Sequence, residues 1–388
     1  MFINNSDLFS VKIPNFIDDF RPYNESEAAE AYKRIAESNL FFKIMKYFFP
    51  NETTENQKKR LLEIKSIKEF QLNIFYRTVT QIINSSISNL TLSGVENLDK
   101  NKNYVFISNH RDIILDATLF LYKLVEHDFD SSEITFGDNL MTDRLIIDIG
   151  KINKMFKVYR SGKPKELMTK TAQLSEYIRY TILQKKQSVW IAQRGGRTKD
   201  GNDMTQSSVI KMLNSSGTKS FEENLQEINI VPLSISYQFE PCDYLKVQEL
   251  YNTVDGKYSK QKNEDINSII NGVTKNKGNV HIQIGKVISA EFIETQNENR
   301  LNAKAEILSK LIDKQVYNNY KLWNTNFIAT DILRENKKYS NKYSIIEKEE
   351  FEKYIENQCK KINGNHETLK QLLLKIYANP VINFESSI

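Results

Sequence analysis

Residues 104–116 read YVFISNHRDIILD. YVFIS is a short, wholly apolar-to-small run of the kind buried in a sheet, and from Ile114 the chain switches to the apolar spacing of a helix, ILDATLFLYKLVEHD through residue 128. A strand that opens onto a helix within a few residues is the repeating unit of α/β sheets. The texture continues downstream in EITFG (133–137), FKVYR (156–160), an amphipathic helix near 164–184, QSVWIA (187–192), INIVPLSISY (228–237) and NVHIQIGKVI (279–288). The expected fold class is α/β, a mixed β-sheet flanked by helices, occupying residues 96–292.

On either side the pattern turns helical. Residues 1–95 hold SEAAEAYKRIAE with Ser26 as a cap, the apolar NLFFKIMKYFFP (39–50) and a long periodic stretch from 55 to 84, predicting a helical N-terminal region. Residues 293–388 are charged and helical, with no cluster that suggests chemistry, and are read as packing or interaction material. Between 252 and 278 a polar stretch predicts a loop and a short helix.

Bulk composition excludes several classes. With 40% hydrophobic and 27% charged residues over 388 positions the chain can bury a real core, and only 13 Gly and 7 Pro argue against disorder or a fibrous protein. A net charge of +5, from 54 basic and 49 acidic residues, is too small to mark a nucleic-acid binder, and no basic stripe is interleaved with aromatics. Cys242 and Cys359 form no CxxC, so neither a metal site nor a disulfide framework is expected. The N-terminus lacks a signal-type apolar run and no stretch of about 18 apolar residues occurs, so a soluble or peripheral protein of the cytosol is expected.

Of four histidines, His110 is placed for chemistry, because the carboxyl end of a strand opening onto a helix is where such sheets set catalytic groups. Asp112 and Asp116 follow it, and either carboxylate could fix the ring so that the other nitrogen removes a proton from an attacking hydroxyl. The same residues also suit a helix start satisfied by a local carboxylate. His127, His281 and His366 sit at a helix end, in a late strand and in a loop, and read as structural. QRGGRTKDGNDMTQ (193–206) groups Arg194, Arg197 and Lys199 around glycines, which suits an anion gripped by guanidinium forks, although a solvated basic turn has the same look. It is not a P-loop, and no GxSxG elbow of a serine hydrolase is present. FGDNLM (136–141), with Gly137 and Asn139, and FKVYR, ending in Arg160, flank these blocks. Pro232 interrupts IVPLSISY, as a bulge, an edge strand or a functional kink would.

Taken in order, ISNHRDIILD, FGDNLM with FKVYR, RGGRTKDG and IVPLSISY resemble the four blocks of the glycerolipid acyltransferases, the family of glycerol-3-phosphate and lysophosphatidic acid acyltransferases, over residues 100–290. The third block is most similar to the glycerol-3-phosphate branch and its bacterial relatives. The resemblance implies direct transfer of a fatty acyl group from acyl-CoA or acyl carrier protein to a glycerol-phosphate hydroxyl, in phospholipid biosynthesis, without metal or cofactor. It implies His110 as base, Asp116 as its orienting acid, Arg160 and Arg197 on the acceptor phosphate with Arg194 or Lys199 assisting, Gly196 allowing close approach, backbone amides near Gly137 and Asn139 at the site, and Pro232 shaping the pocket. Two departures stand out. The family spaces its His and Asp by four residues, whereas five separate His110 from Asp116; on a helix that extra residue rotates the carboxylate by about 100°, which would let Asp112 share or take the orienting role. The glutamate that the family's third block carries is replaced by Arg194 or Gly195, which leaves room for a lyso-aminolipid acceptor without phosphate, or for a non-catalytic lipid-binding protein. The implied partners are a lipid acceptor, an acyl thioester or its carrier protein, and the inner face of a membrane; the 39–50 stretch suits either an interface helix, with Phe41, Phe42, Ile44, Met45, Phe48 and Phe49 entering the bilayer surface, or a core helix packed on the catalytic domain.

Overall fold

Alternation within one short strand organises the whole sheet. Val105 and Ile107 of β2 (Val105–Ser108) point into one apolar cluster, while Phe106 points into another on the opposite face. A strand buried on both sides belongs in the middle of a helix-covered sheet. In the computed structural model, which describes residues 16–141, 143–253, 258–261, 263–289 and 297–388, β2 lies between β5 (Val189–Ala192) and β6 (Ile230–Tyr237). The described residues form a seven-stranded sheet in the order β1-β7-β6-β2-β5-β3-β4, with β1 Asn89–Ser93, β3 Glu133–Gly137, β4 Met155–Val158 and β7 Asn279–Ile284. All pairings are parallel except β6 with β7, so the sheet is mixed.

Helices cover both faces. Pro164–Leu183, Ser207–Asn214 and Leu301–Asn319 supply the cluster around Val105 and Ile107, and Arg77–Ser86 and Leu115–Glu126 supply the one around Phe106. The first edge strand, Asn89–Ser93, falls inside the region read from sequence as helical. Its pattern, NLTLS, is too short and too polar to be told from a loop without its partner β7.

The expected helix at 39–50 is present as Asn39–Phe48, capped by Ser38, but it corrects the membrane-facing set. Phe41, Phe42, Met45 and Phe49 are buried among Leu61, Ile64, Phe70, Ile74, Leu145 and Ile152. Phe48 is half-buried, and of the six residues named only Ile44 faces out. Helical periodicity explains this, because 41, 45 and 49 share one side while Leu40, Ile44 and Tyr47 share the other.

Pro232 needs a correction too. It is buried in β6, a strand inside the sheet and not at its edge, and it lies outside the lining of the main cleft. Its carbonyl accepts from Gly285 N (2.8 Å), and the next bond on that side runs from Ile288 N to Ile230 O (2.8 Å). The β6–β7 register, Leu233 to Ile284, would have paired Ile230 with Val287, so the ladder slips by one residue beside the proline. The missing Pro232 N–H therefore falls where the β6–β7 ladder is interrupted, the place a sheet tolerates proline.

The C-terminal region is helical as expected. Asn324–Leu333, Ile345–Cys359 and His366–Ser387 pack with Asp243–Tyr251 around a separate apolar cluster that includes Val247, Ile328, Phe351 and Leu373.

Candidate active site

Because β2, β3, β4 and β5 run parallel, their carboxyl ends share one edge of the sheet. Four sequence blocks separated by up to about 90 residues are therefore delivered to the same place. They line a cleft of about 620 Å³: His110, Ile113 and Ile114 after β2, Gly137 and Asn139 after β3, Tyr159 and Arg160 after β4, and Arg194 to Arg197 with Lys199 after β5.

His110 is nearly buried, with its ring edge-on to Trp190 at 5.8 Å between centroids. Its Nδ1 lies 2.9 Å from Asp116 Oδ2. An ionised carboxylate only accepts, so Nδ1 carries the proton and Nε2 is left as the basic nitrogen. Asp116 is itself held from every side: Oδ2 accepts from Arg111 N (2.6 Å) and Asp112 N (2.9 Å), and Oδ1 accepts from the Tyr237 hydroxyl (2.7 Å) at the end of β6.

The five-residue spacing therefore does not turn the carboxylate away. Residues 110–114 are not helical; the helix begins at Leu115, and the extra residue is taken up in the turn before it. Asp112, the alternative orienting acid, has another task. Its Oδ1 accepts from Ile114 N and Leu115 N (2.9 Å each), satisfying the helix start. Its Oδ2 has no hydrogen-bond partner and packs under Gly272, where a Cβ would come within 2.3 Å of it. Burial, and then the neighbouring Asp116, push the Asp112 carboxyl above its ordinary range. Only the backbone N–H of Asp112 serves the histidine-aspartate pair.

The basic wall faces the ring. Arg197 donates from Nη2 to Ser268 Oγ (3.3 Å), while its Nη1 is buried without a partner; Arg194 Nε is likewise buried and unpaired. Buried guanidinium N–H groups left open in this way are costly unless an anion completes them. Lys199 pairs with Glu249, which enters the cleft from Asp243–Tyr251, and burial, followed by the charge of Arg197, pushes the amine down to about 8. Arg160 lies exposed over Gly137, where a Cβ would meet Asn139 Oδ1 at 2.6 Å and Arg160 Nε at 2.9 Å, so a larger residue there would displace both side chains. Gly196 (φ +99°) stands opposite, the position of its Cβ being 4.0 Å from Arg160 Nη1. Deeper in, Ile134, Met155, Leu174, Ile191 and Met212 make the cleft apolar.

The other histidines lie elsewhere: His127 is exposed at a helix end, His281 bonds Thr91 on β1 (2.8 Å), and His366 bonds Glu356 (2.7 Å). Several residues of the site were not foreseen. Asn109 ties β2 to β6 by bonding both Ile235 N (2.8 Å) and Ile235 O (3.0 Å), and Arg111 is fully buried between Asp203 (2.6 Å) and Glu240 (3.1 Å). Nothing in a single sequence separates these from ordinary polar residues. Trp190, one of two tryptophans and sited just before the glycine loop, was the one available signal. Among the described residues no group of His, Cys, Asp or Glu is arranged to hold a metal ion, and no helix is long and apolar enough to cross a membrane.

Residues 89–236 match the model of the family described as Acyltransferase. Among solved structures, the crystal structure of the 1-acyl-sn-glycerophosphate (LPA) acyltransferase PlsC from Thermotoga maritima aligns with 74% of this chain and 93% of that one, at 14% identity and a TM-score of 0.36. A comparison with curated proteins gave no match. The matched span begins with β1, ends in β6, and contains His110, Asp116, Arg160, Arg194 and Arg197. Over this span, which is less than half of the chain, the protein is similar to the acyltransferases.

Proposed function

We propose that this enzyme moves a fatty acyl group from a thioester, acyl-CoA or acyl carrier protein, to a hydroxyl of glycerol 3-phosphate or a lysophospholipid, with His110 as general base. One observation carries the reading: His110, its ring oriented by Asp116, lines the same cleft as Arg194 and Arg197, each of which keeps a buried N–H without a partner. The acceptor phosphate completes those donors, assisted by Arg160 and Lys199, and its hydroxyl then reaches Nε2. His110 takes the hydroxyl proton as the oxygen attacks the thioester carbonyl; the C–S bond breaks, and the departing thiolate takes that proton back. The acyl chain lies along Ile134, Met155, Leu174 and Met212. Labelled acyl donor offered with glycerol 3-phosphate, lysophosphatidic acid and a phosphate-free lyso-aminolipid tests this. Transfer to a phosphorylated acceptor is expected; transfer to the lyso-aminolipid alone would overturn the phosphate assignment.

Lipid acceptors also require a membrane approach, and we assign it to the outer face of Asn39–Phe48. Leu40, Ile44 and Tyr47 are 54%, 41% and 66% exposed, Lys43 and Lys46 stand beside them, and the helix carries no acid. Such a face suits an anionic bilayer surface. Ile44→Glu combined with Tyr47→Glu is expected to weaken partition onto vesicles containing anionic lipid by at least about 10²-fold, since each buried side chain contributes about 1.5–3 kcal/mol. Undiminished flotation would remove this helix as the contact.

A further inference from the structure

The loop that carries Arg197 and Lys199 is held on its inner side by the catalytic domain itself. Thr198 N donates to His110 O (2.9 Å), Arg111 Nη2 donates to Gly201 O (3.1 Å), and Asp203 accepts from Asn109 Nδ2 (3.0 Å) and Arg111. Its outer side is held by helices from the far end of the chain. Asn379 Nδ2 donates to Asp200 O (2.8 Å), and Asp313 Oδ1 accepts from Thr205 N (2.8 Å).

A second feature of the last helix meets the same loop. Pro380 lies inside His366–Ser387, and a residue there would ordinarily donate its N–H to the carbonyl four positions earlier, that of Ile376. Proline has no N–H, so this carbonyl is released from the helix ladder. It faces Gly201, whose φ is +81° and where a Cβ would lie 2.1 Å from the Ile376 oxygen. The segment Ile376 to Pro380 thus presents a freed carbonyl and a side-chain amide one residue apart on the loop from Asp200 to Gly201. Tyr377, between them, anchors the helix by accepting from Glu240 N (3.1 Å), donating to Asp243 Oδ2 (2.8 Å), and receiving Asn326 Nδ2 at its carbonyl (2.8 Å).

From these contacts we infer that the C-terminal helix is a working part of the acceptor site: Asn379 and the Pro380 break are positioning elements that set the loop bearing Arg197 and Lys199. The inference rests on the reading that this loop holds the acceptor's phosphate. The proline keeps a helix carbonyl open so that the glycine of the loop can close against it.

The full chain is assayed for kcat, for KM of donor and of phosphorylated acceptor, for melting temperature, and for the rate at which trypsin cuts after Arg197 and Lys199. Asn379→Ala removes one hydrogen bond at a half-exposed position and is expected to raise acceptor KM about fivefold, leaving kcat and donor KM within about twofold. Pro380→Ala lets the helix recapture the Ile376 carbonyl; acceptor KM is expected to rise while the melting temperature holds or increases, an opposition that a merely structural role does not produce. Tryptic cutting of the loop is expected to quicken in both variants. Acceptor KM within twofold of wild type in both, or unchanged cutting, overturns the inference. Should the wild-type chain use no phosphorylated acceptor, the phosphate reading fails by itself, and the cutting rates still decide whether the helix positions the loop.

Discussion

His110→Ala is expected to lower kcat by about 10²- to 10⁴-fold, the range that general-base catalysis contributes, while acceptor KM changes by less than about threefold. The separation of the two constants follows from the geometry. The ring contacts Asp116 and Trp190, whereas the open donors for an anion are on Arg194 and Arg197. If His110 is the base proposed, removing the imidazole deletes an interaction made with the moving proton and leaves Arg194 and Arg197 in place. Initial rates with saturating thioester, beside the melting temperature of the variant, make the measurement. A variant that folds and still transfers at a near wild-type rate would show that the base is some other group.

How far the fold could be read ahead depended on where partners sit in sequence. β2 through β7 were legible because each is a compact apolar run bounded by polar turns, and their alternation with helices implied the mixed, helix-covered sheet. β1 was not, since NLTLS becomes a strand only through its pairing with β7, about 190 residues away. Asn39–Phe48 was legible as a helix but not in its orientation. Both of its faces are apolar, and only the presence of Leu61, Phe70 and Leu145 decides which is buried.

The site divides in the same way. His110, Arg160, Arg194, Gly196, Arg197 and Lys199 were named from types and order, and parallel strands bring them to one edge. The choice between Asp112 and Asp116 was out of reach, because it turns on where the helix begins; periodic reasoning started the helix too early and so rotated Asp116 away. Tyr237, Glu249 and Asn379 were invisible for a simpler reason. Each acts across more than 40 residues through one hydrogen bond or ion pair, and no local pattern encodes such a partner. Pro380 is the instructive case: a proline within a helical pattern is conspicuous, yet it reads as a break until the carbonyl it frees is found against Gly201.

The companion expectation concerns Asp116→Asn. The carboxylate accepts four hydrogen bonds, three at Oδ2 and one at Oδ1. An asparagine can keep the three at Oδ2 only by placing its oxygen there, which turns its NH₂ toward the Tyr237 hydroxyl; that oxygen can accept, so the fold is preserved. On the mechanism proposed, what is lost is the negative charge beside an imidazole that becomes an imidazolium as it takes the hydroxyl proton. Loss of the orienting, charge-balancing aspartate costs about 10⁴-fold in the serine-histidine-aspartate triad, and a decrease in kcat of at least about 10²-fold is expected here, with melting temperature little changed. The decisive arm is the double variant with His110→Ala. Two groups that act through one proton transfer are not additive, so the pair together should fall no further than His110→Ala alone. Multiplying losses would mean that Asp116 stabilises the transition state by a route that bypasses the ring, and an Asp116→Asn enzyme within about threefold of wild type would mean that the 2.9 Å contact orients a histidine with no part in the chemistry.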